Sequence, residues 1–122
     1  MIVALHHAQI TVPKGAEDEA RRFYCGLLEL NEVSKRIELA GRGGFWLEIG
    51  DRQLHIGTED DVERSATKAH IAYEVEDLET WREKLTASGI PVKDGIQIPG
   101  MRRFEFRDPF GNRIEFLQVR NP

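Results

Sequence analysis

His70-Ile71-Ala72-Tyr73-Glu74-Val75 repeats, 63 positions later, the pattern of His7-Ala8-Gln9-Ile10-Thr11-Val12. Each stretch opens on histidine and then alternates apolar and polar residues, the period of a half-buried strand. A second correspondence lies further on. His55 in Gln53-Leu54-His55-Ile56 matches Glu115 in Arg113-Ile114-Glu115-Phe116, 60 positions apart. Such internal repetition outranks local pattern in reading a fold. Two copies of one unit, each placing a metal-ligand residue type twice, point to a single site shared by the copies.

The segments between these landmarks follow the same order in both halves. In the first, a strand over 4–12 ends at Pro13-Lys14-Gly15. Ala20, Phe23, Tyr24, Leu27 and Leu28 then have helical spacing, which predicts a helix over 16–29, with Glu17, Asp18 and Glu19 favoured in its first turn by the helix dipole. Strands are expected over 32–39, 44–49 and 52–57, the last two joined at Gly50-Asp51. In the second half a strand over 69–75 leads to Asp77, an N-cap candidate for a helix with Leu78, Trp81 and Leu85, stopped at Gly89 before Pro91. Strands follow over 92–98, 102–107 and 112–119, the last pair turning at Asp108-Pro109-Phe110-Gly111. The expectation is an α+β domain over 1–122. It holds two βαβββ modules in tandem, about 1–58 and 69–122, joined by a polar linker over 59–68. Their sheets form a cup-shaped mixed sheet with helices on the outer face.

Alternation along the strands sorts the side chains. Phe45, Leu47, Ile49, Leu54 and Ile56 take one face in the first half; Trp46, Glu48, Gln53 and His55 take the other. In the second, Ile71, Tyr73, Phe104, Phe106, Ile114 and Phe116 oppose His70, Glu74, Arg103, Glu105, Arg107, Arg113 and Glu115. The polar face gathers histidine, glutamine, tryptophan and arginine, a mixture suited to a lined cavity. Imidazole and carboxylate are ligands for a divalent transition metal when they converge. The candidate ligands are therefore His7, His55, His70 and Glu115. His6 must point to the opposite side from His7 and is read as structural or exposed. Cys25, Phe23, Tyr24 and Trp81 are read as packing residues.

The bulk properties bound the rest. Hydrophobic content of 40% and charged content of 31% describe an ordinary globular chain. The net charge is −4 and the pI near 5.6, which argues against nucleic acid as a partner. A single cysteine cannot form an internal disulfide, which fits a reducing compartment. No apolar run reaches the ~18 residues of a membrane span, and no signal peptide is read, so the expected localisation is cytoplasmic.

At these residues the chain resembles the vicinal oxygen chelate superfamily, which includes glyoxalase I, fosfomycin-resistance enzymes, extradiol dioxygenases and bleomycin-resistance proteins. The carriers are LHHAQITV (5–12), RRFYCGLLEL (21–30), KAHIAYEVEDL (68–78) and RFEFRDPFGNRIEFLQV (103–119). The resemblance implies an open cup around one divalent metal (Zn, Ni, Co, Mn or Fe), held by the first and last strands of each module at His7, His55, His70 and Glu115. In glyoxalase I-like relatives the position of His55 holds a carboxylate or glutamine, and some members place no ligand there. Without His55 the set is a two-histidine, one-carboxylate triad. The resemblance also implies a homodimer.

The implied chemistry is chelation of a substrate through neighbouring oxygens. Glu115 would be the catalytic base in lyase or isomerase reactions; dioxygenase chemistry is the other branch. Gln9, Thr11, Trp46, Gln53, Arg103, Glu105 and Arg107 are the candidate substrate-binding residues, with Arg113 beside them. Two positions depart from named relatives. Gln9 stands where fosfomycin-resistance enzymes carry threonine, and Thr11 where bacterial glyoxalase I carries arginine. The alternative function is a metal-free protein that sequesters a drug or metabolite, as bleomycin-resistance proteins do.

Overall fold

A computed structural model describes residues 1–120; residues 121–122, the end of the expected second module, lie outside the described residues. The chain divides into two compact units, Met1–Val62 and Glu63–Pro122. The division falls inside the expected linker, where a short 3-10 turn spans Arg64–Ala66. Each unit carries one four-stranded mixed sheet, so the two-module α+β expectation holds.

In unit one, β1 (His7–Val12), β2 (Asn31–Val33), β3 (Phe45–Ile49) and β4 (Arg52–Thr58) lie in the order β1-β4-β3-β2. β1 runs parallel to β4, and the other pairs are antiparallel. α1 (Glu17–Arg21) joins β1 to β2. Ala20, Phe23, Tyr24 and Leu28 are buried with Phe45, Leu47, Leu54 and Ile56, as the apolar spacing required. The Arg21 guanidinium lies 4.6 Å over the Phe45 ring. The helix is not uniformly α, however. From Arg22 to Leu27 it widens to π geometry, and Leu28 N–H bonds Phe23 O at 2.9 Å. The wider turn keeps Phe23, Tyr24 and Leu28 inward and leaves Leu27, counted in the α-helical stripe, half-buried.

Unit two repeats the plan. β5 (His70–Glu74), β6 (Lys93–Asp94), β7 (Met101–Arg107) and β8 (Arg113–Val119) lie in the order β5-β8-β7-β6, with β5 parallel to β8. α2 (Leu78–Ala87) starts where expected: the Asp77 carboxylate accepts from Thr80 N–H at 3.2 Å. Gln118 Oε1 also accepts from Leu78 N–H at 2.9 Å, tying the helix start to β8. Leu78 and Leu85 are buried, and the Trp81 ring meets Phe116 edge-on at 5.3 Å.

Three strands are shorter than their patterns. β1 begins at His7 rather than residue 4; its first paired residue, His7, lies opposite Gln53, the second residue of β4. The expected strand 32–39 stops at Val33. Val33 pairs with Trp46, and β3 ends one residue further at Phe45, so Lys35 to Leu39 have no ladder to join. Ile37–Leu39 form a 3-10 turn instead, and Ile37 is 85% exposed. The expected strand 92–98 is confined to Lys93–Asp94, opposite Glu105 and Phe104.

The turn between β7 and β8 is built on one carboxylate. Asp108 Oδ1 accepts from Phe110 N–H and Asn112 N–H, and Oδ2 from the Asn112 amide, each at 2.9 Å. Gly111 supplies the left-handed φ of +102° that the turn requires. Asp108 is buried, so removing its acceptors strands polar hydrogens away from water. Asp108→Ala should therefore cost about 3 kcal/mol, read as a lower denaturant midpoint at unchanged slope. An unchanged midpoint would contradict this account.

The Tyr73 hydroxyl is pushed well above the usual phenol range, first by burial and then by the negative charge of Asp108. The unfolded chain releases this proton near pH 10, while the folded chain keeps it. Stability from this source is thus complete below about pH 10 and declines as pH rises further. Tyr73→Phe should flatten the alkaline fall in stability above about pH 10; an identical alkaline limb in the variant would refute the assignment.

Candidate functional site

The strand registers confirm that the repeated residues occupy equivalent places. His55 lies opposite Gln9, two residues after His7; Glu115 lies opposite Ala72, two residues after His70. Each histidine is therefore a diagonal neighbour of the second candidate in its own unit. Parallel partners project to the same side of a sheet, so each pair shares a face.

In unit two the pair is in direct contact. His70 Nε2 is 3.2 Å from Glu115 Oε1. His70 Nδ1 lies 2.9 Å from Lys68 O. A carbonyl can only accept, so the Nδ1 hydrogen is committed there, and a neutral ring presents the Nε2 lone pair to the carboxylate. Two acceptors at this distance need a proton or a cation between them. A backbone carbonyl holding the far nitrogen of a histidine is also the usual outer support of a metal ligand. Glu115 is buried, and its Oε1 also accepts from Arg103 Nη1 at 3.3 Å. The Arg103 Nε donates to Ile96 O at 3.3 Å, and its guanidinium lies flat on Gly95, where a Cβ would come within 3.0 Å. Glu105 forms an ion pair with Arg113. Arg107 donates to Gly111 O at 2.7 Å, which turns it toward the β7–β8 turn. A cavity of about 250 Å³ is lined by Arg103, Glu105, Arg113 and Glu115.

In unit one the pair is stacked. The His55 ring lies parallel to Trp46, centroids 4.0 Å apart, and nearly parallel to His7 at 4.2 Å and 20°. Gln53 Oε1 accepts from His55 Nε2 at 2.9 Å. Burial, and then the charges of His7, His6 and Lys35, push the His55 imidazole down, which keeps it neutral. His6 is exposed as expected, but its Nδ1 contacts His7 Nδ1 at 3.0 Å. Gln9 packs on Gly57, where a Cβ would lie 3.0 Å from its amide. The Thr11 hydroxyl donates to Glu59 at 2.9 Å. A cavity of about 1020 Å³ lies over this face, and His7, Gln9, Trp46, Gln53 and His55 line it.

Other residues behave as packing. The Cys25 thiol is pushed up by burial and then by the Glu32 charge, which keeps it protonated and poorly nucleophilic. Among the described residues, no group of three or more His, Cys, Asp or Glu forms a metal cage. The units thus supply one histidine–histidine and one histidine–carboxylate pair.

Sequence reading missed the cations of the unit-one cavity: Lys35, Arg36, Arg42 and Arg52 all line it. Three of them lie in the connection between β2 and β3. The run Gly41-Arg42-Gly43-Gly44 was the available signal of a loop there. Gly44 has φ +79°, and a Cβ on it would meet Ile56 O at 2.1 Å.

Comparisons with known proteins agree with this geometry. The sequence profile of the Glyoxalase/Bleomycin resistance protein/Dioxygenase superfamily matches residues 4–116. A glyoxalase family protein from Bacillus anthracis is 38% identical, with a TM-score of 0.90 over 98% of each chain. The fosfomycin resistance protein FosX of Listeria monocytogenes, solved with Mn(II) and sulfate, shares the fold at 18% identity and a TM-score of 0.77, over 100% of this chain and 93% of that one. Lactoylglutathione lyase from Agrobacterium tumefaciens does so at 21% identity and 0.74, over 97% and 95%. No curated protein matches the sequence. Its profile match and its 38% identity over nearly the whole chain make it a member of the glyoxalase/bleomycin resistance protein/dioxygenase superfamily.

Proposed function

We propose that this protein is a divalent-metal-dependent enzyme acting on an oxygenated small molecule, with His70 and Glu115 among the metal ligands. The observation that carries the reading is the contact of His70 Nε2 with Glu115 Oε1 at 3.2 Å, with the His70 Nδ1 hydrogen already spent on Lys68 O. A further ligand at His55 is less compatible with the stacking. A ligating imidazole keeps its metal near the ring plane, with a bond of about 2 Å. The planes of His7 and His55 are nearly parallel and 4.2 Å apart at their centres, so one ion cannot lie near both. His55, held by Trp46 and Gln53, instead supports the His7 ring.

The metal would supply Lewis acidity to two neighbouring substrate oxygens. Glu115 would take the proton from the carbon beside a carbonyl onto a carboxylate oxygen, the base of a lyase or isomerase reaction. Arg103, already on that carboxylate, would hold it in place and balance its charge. Gln9 would donate hydrogen bonds to the substrate. Iron held by the same residues would support dioxygenase chemistry instead. Zinc, nickel, cobalt or manganese would support the proton-transfer branch. No helix among the described residues is long and apolar enough to cross a membrane. A homodimer in the cytoplasm completes the proposal.

Metal analysis of tag-free protein tests it. About one divalent ion per chain is expected, lost in Glu115→Gln and His70→Ala and retained in His55→Ala. Metal-free protein that binds aromatic or cationic ligands tightly would instead support a sequestering role of the bleomycin-resistance type. Ions retained by both Glu115→Gln and His70→Ala would overturn the ligand set.

A further inference from the structure

The cavity of unit one has a charge that the chain as a whole does not. The protein carries a net charge of −4. Yet Lys35, Arg36, Arg42 and Arg52 line this one cavity, against the single carboxylate of Asp51. Arg36 is neutralised by Glu38 at 3.1 Å. Neither Arg42 nor Arg52 pairs with a carboxylate among the described residues, and Lys35 donates to the uncharged Gly43 O at 2.8 Å. That bond clips the start of the β2–β3 connection to its end. Unpaired cations around a concave surface concentrate positive potential there and attract anions. The same cavity offers a flat apolar surface: the Trp46 ring, half-buried and backed in parallel by His55.

We infer that the substrate of the proposed reaction is an organic anion, in which a carboxylate, phosphate or phosphonate is bound by Lys35, Arg42 and Arg52 while a flat unsaturated part lies on Trp46. The inference rests on the proposed function for the identity of the site, but its evidence is separate from the metal ligands. Lys35 and Arg42 on the β2–β3 connection, and Arg52 at the start of β4, line the same cavity as the stacked Trp46 and His55 rings. Charge-assisted hydrogen bonds to such a group are the strong kind, and in this geometry they would set substrate class rather than take part in proton transfer.

Calorimetric titration of the purified protein with phenylphosphonate, benzoate and benzyl alcohol tests this. Both anions should bind at least about tenfold more tightly than the neutral alcohol. Lys35→Met and Arg42→Met should each weaken the anions about tenfold without changing metal content, and Arg36→Met should leave them unchanged. Glu115→Gln should lose metal but keep the preference for anions over alcohol. Equal binding of the alcohol, or anion binding indifferent to both Lys35→Met and Arg42→Met, overturns the inference. A Glu115→Gln protein that keeps its metal while the anion preference still depends on Lys35 and Arg42 overturns the metal reading alone.

Discussion

Parallel pairing between the first and last strand of each module is the constraint on which the site depends. Parallel strands cannot be joined by a tight turn, so the rest of the module must lie between them in sequence. That requirement makes room for a helix over the apolar face and two further strands beside it. It also fixes which residues become neighbours. His7 comes beside His55, and His70 beside Glu115, because the register sets Gln9 against His55 and Ala72 against Glu115. A slip of one residue between the paired strands would put the two members of each pair on opposite faces.

Two copies of this plan have diverged in what their pairs can do. In unit two, a backbone carbonyl and an arginine leave a histidine and a carboxylate facing one another, an arrangement suited to a cation and to proton transfer. In unit one, an aromatic ring and a glutamine hold His55, the counterpart of Glu115, in the middle of a stack. The second copy carries a histidine–carboxylate pair, and the first a cavity lined by aromatic rings and cations. A duplicated fold can divide labour in this way because each module forms its own sheet and core, and the polar face is free to vary.

The paired strands with strong alternation were legible from sequence, as were the Asp77 cap and the Asp108 turn. These features depend on residues close in the chain. Strands 32–39 and 92–98 were read too long because alternation measures only what a segment prefers. Whether it ladders depends on a partner, and β3 runs out opposite residue 34. The widening of the first helix was equally hidden, since Ala20, Phe23, Tyr24 and Leu28 satisfy an α and a π spacing alike.

For the site, the sequence by itself determined which residue types recur at equivalent places: two histidines on the polar face of the first sheet, and a histidine and a glutamate on that of the second. It did so because strand periodicity assigns faces without reference to the rest of the fold. Only the tertiary structure decided what each side chain meets. It set Lys68 O behind His70, Arg103 on Glu115, Glu59 on Thr11, Gly111 O on Arg107, and Trp46 against His55. It also gathered Lys35, Arg42 and Arg52 around one cavity. Those relations span neighbouring strands and an irregular connection, where distance in space has no counterpart in sequence spacing.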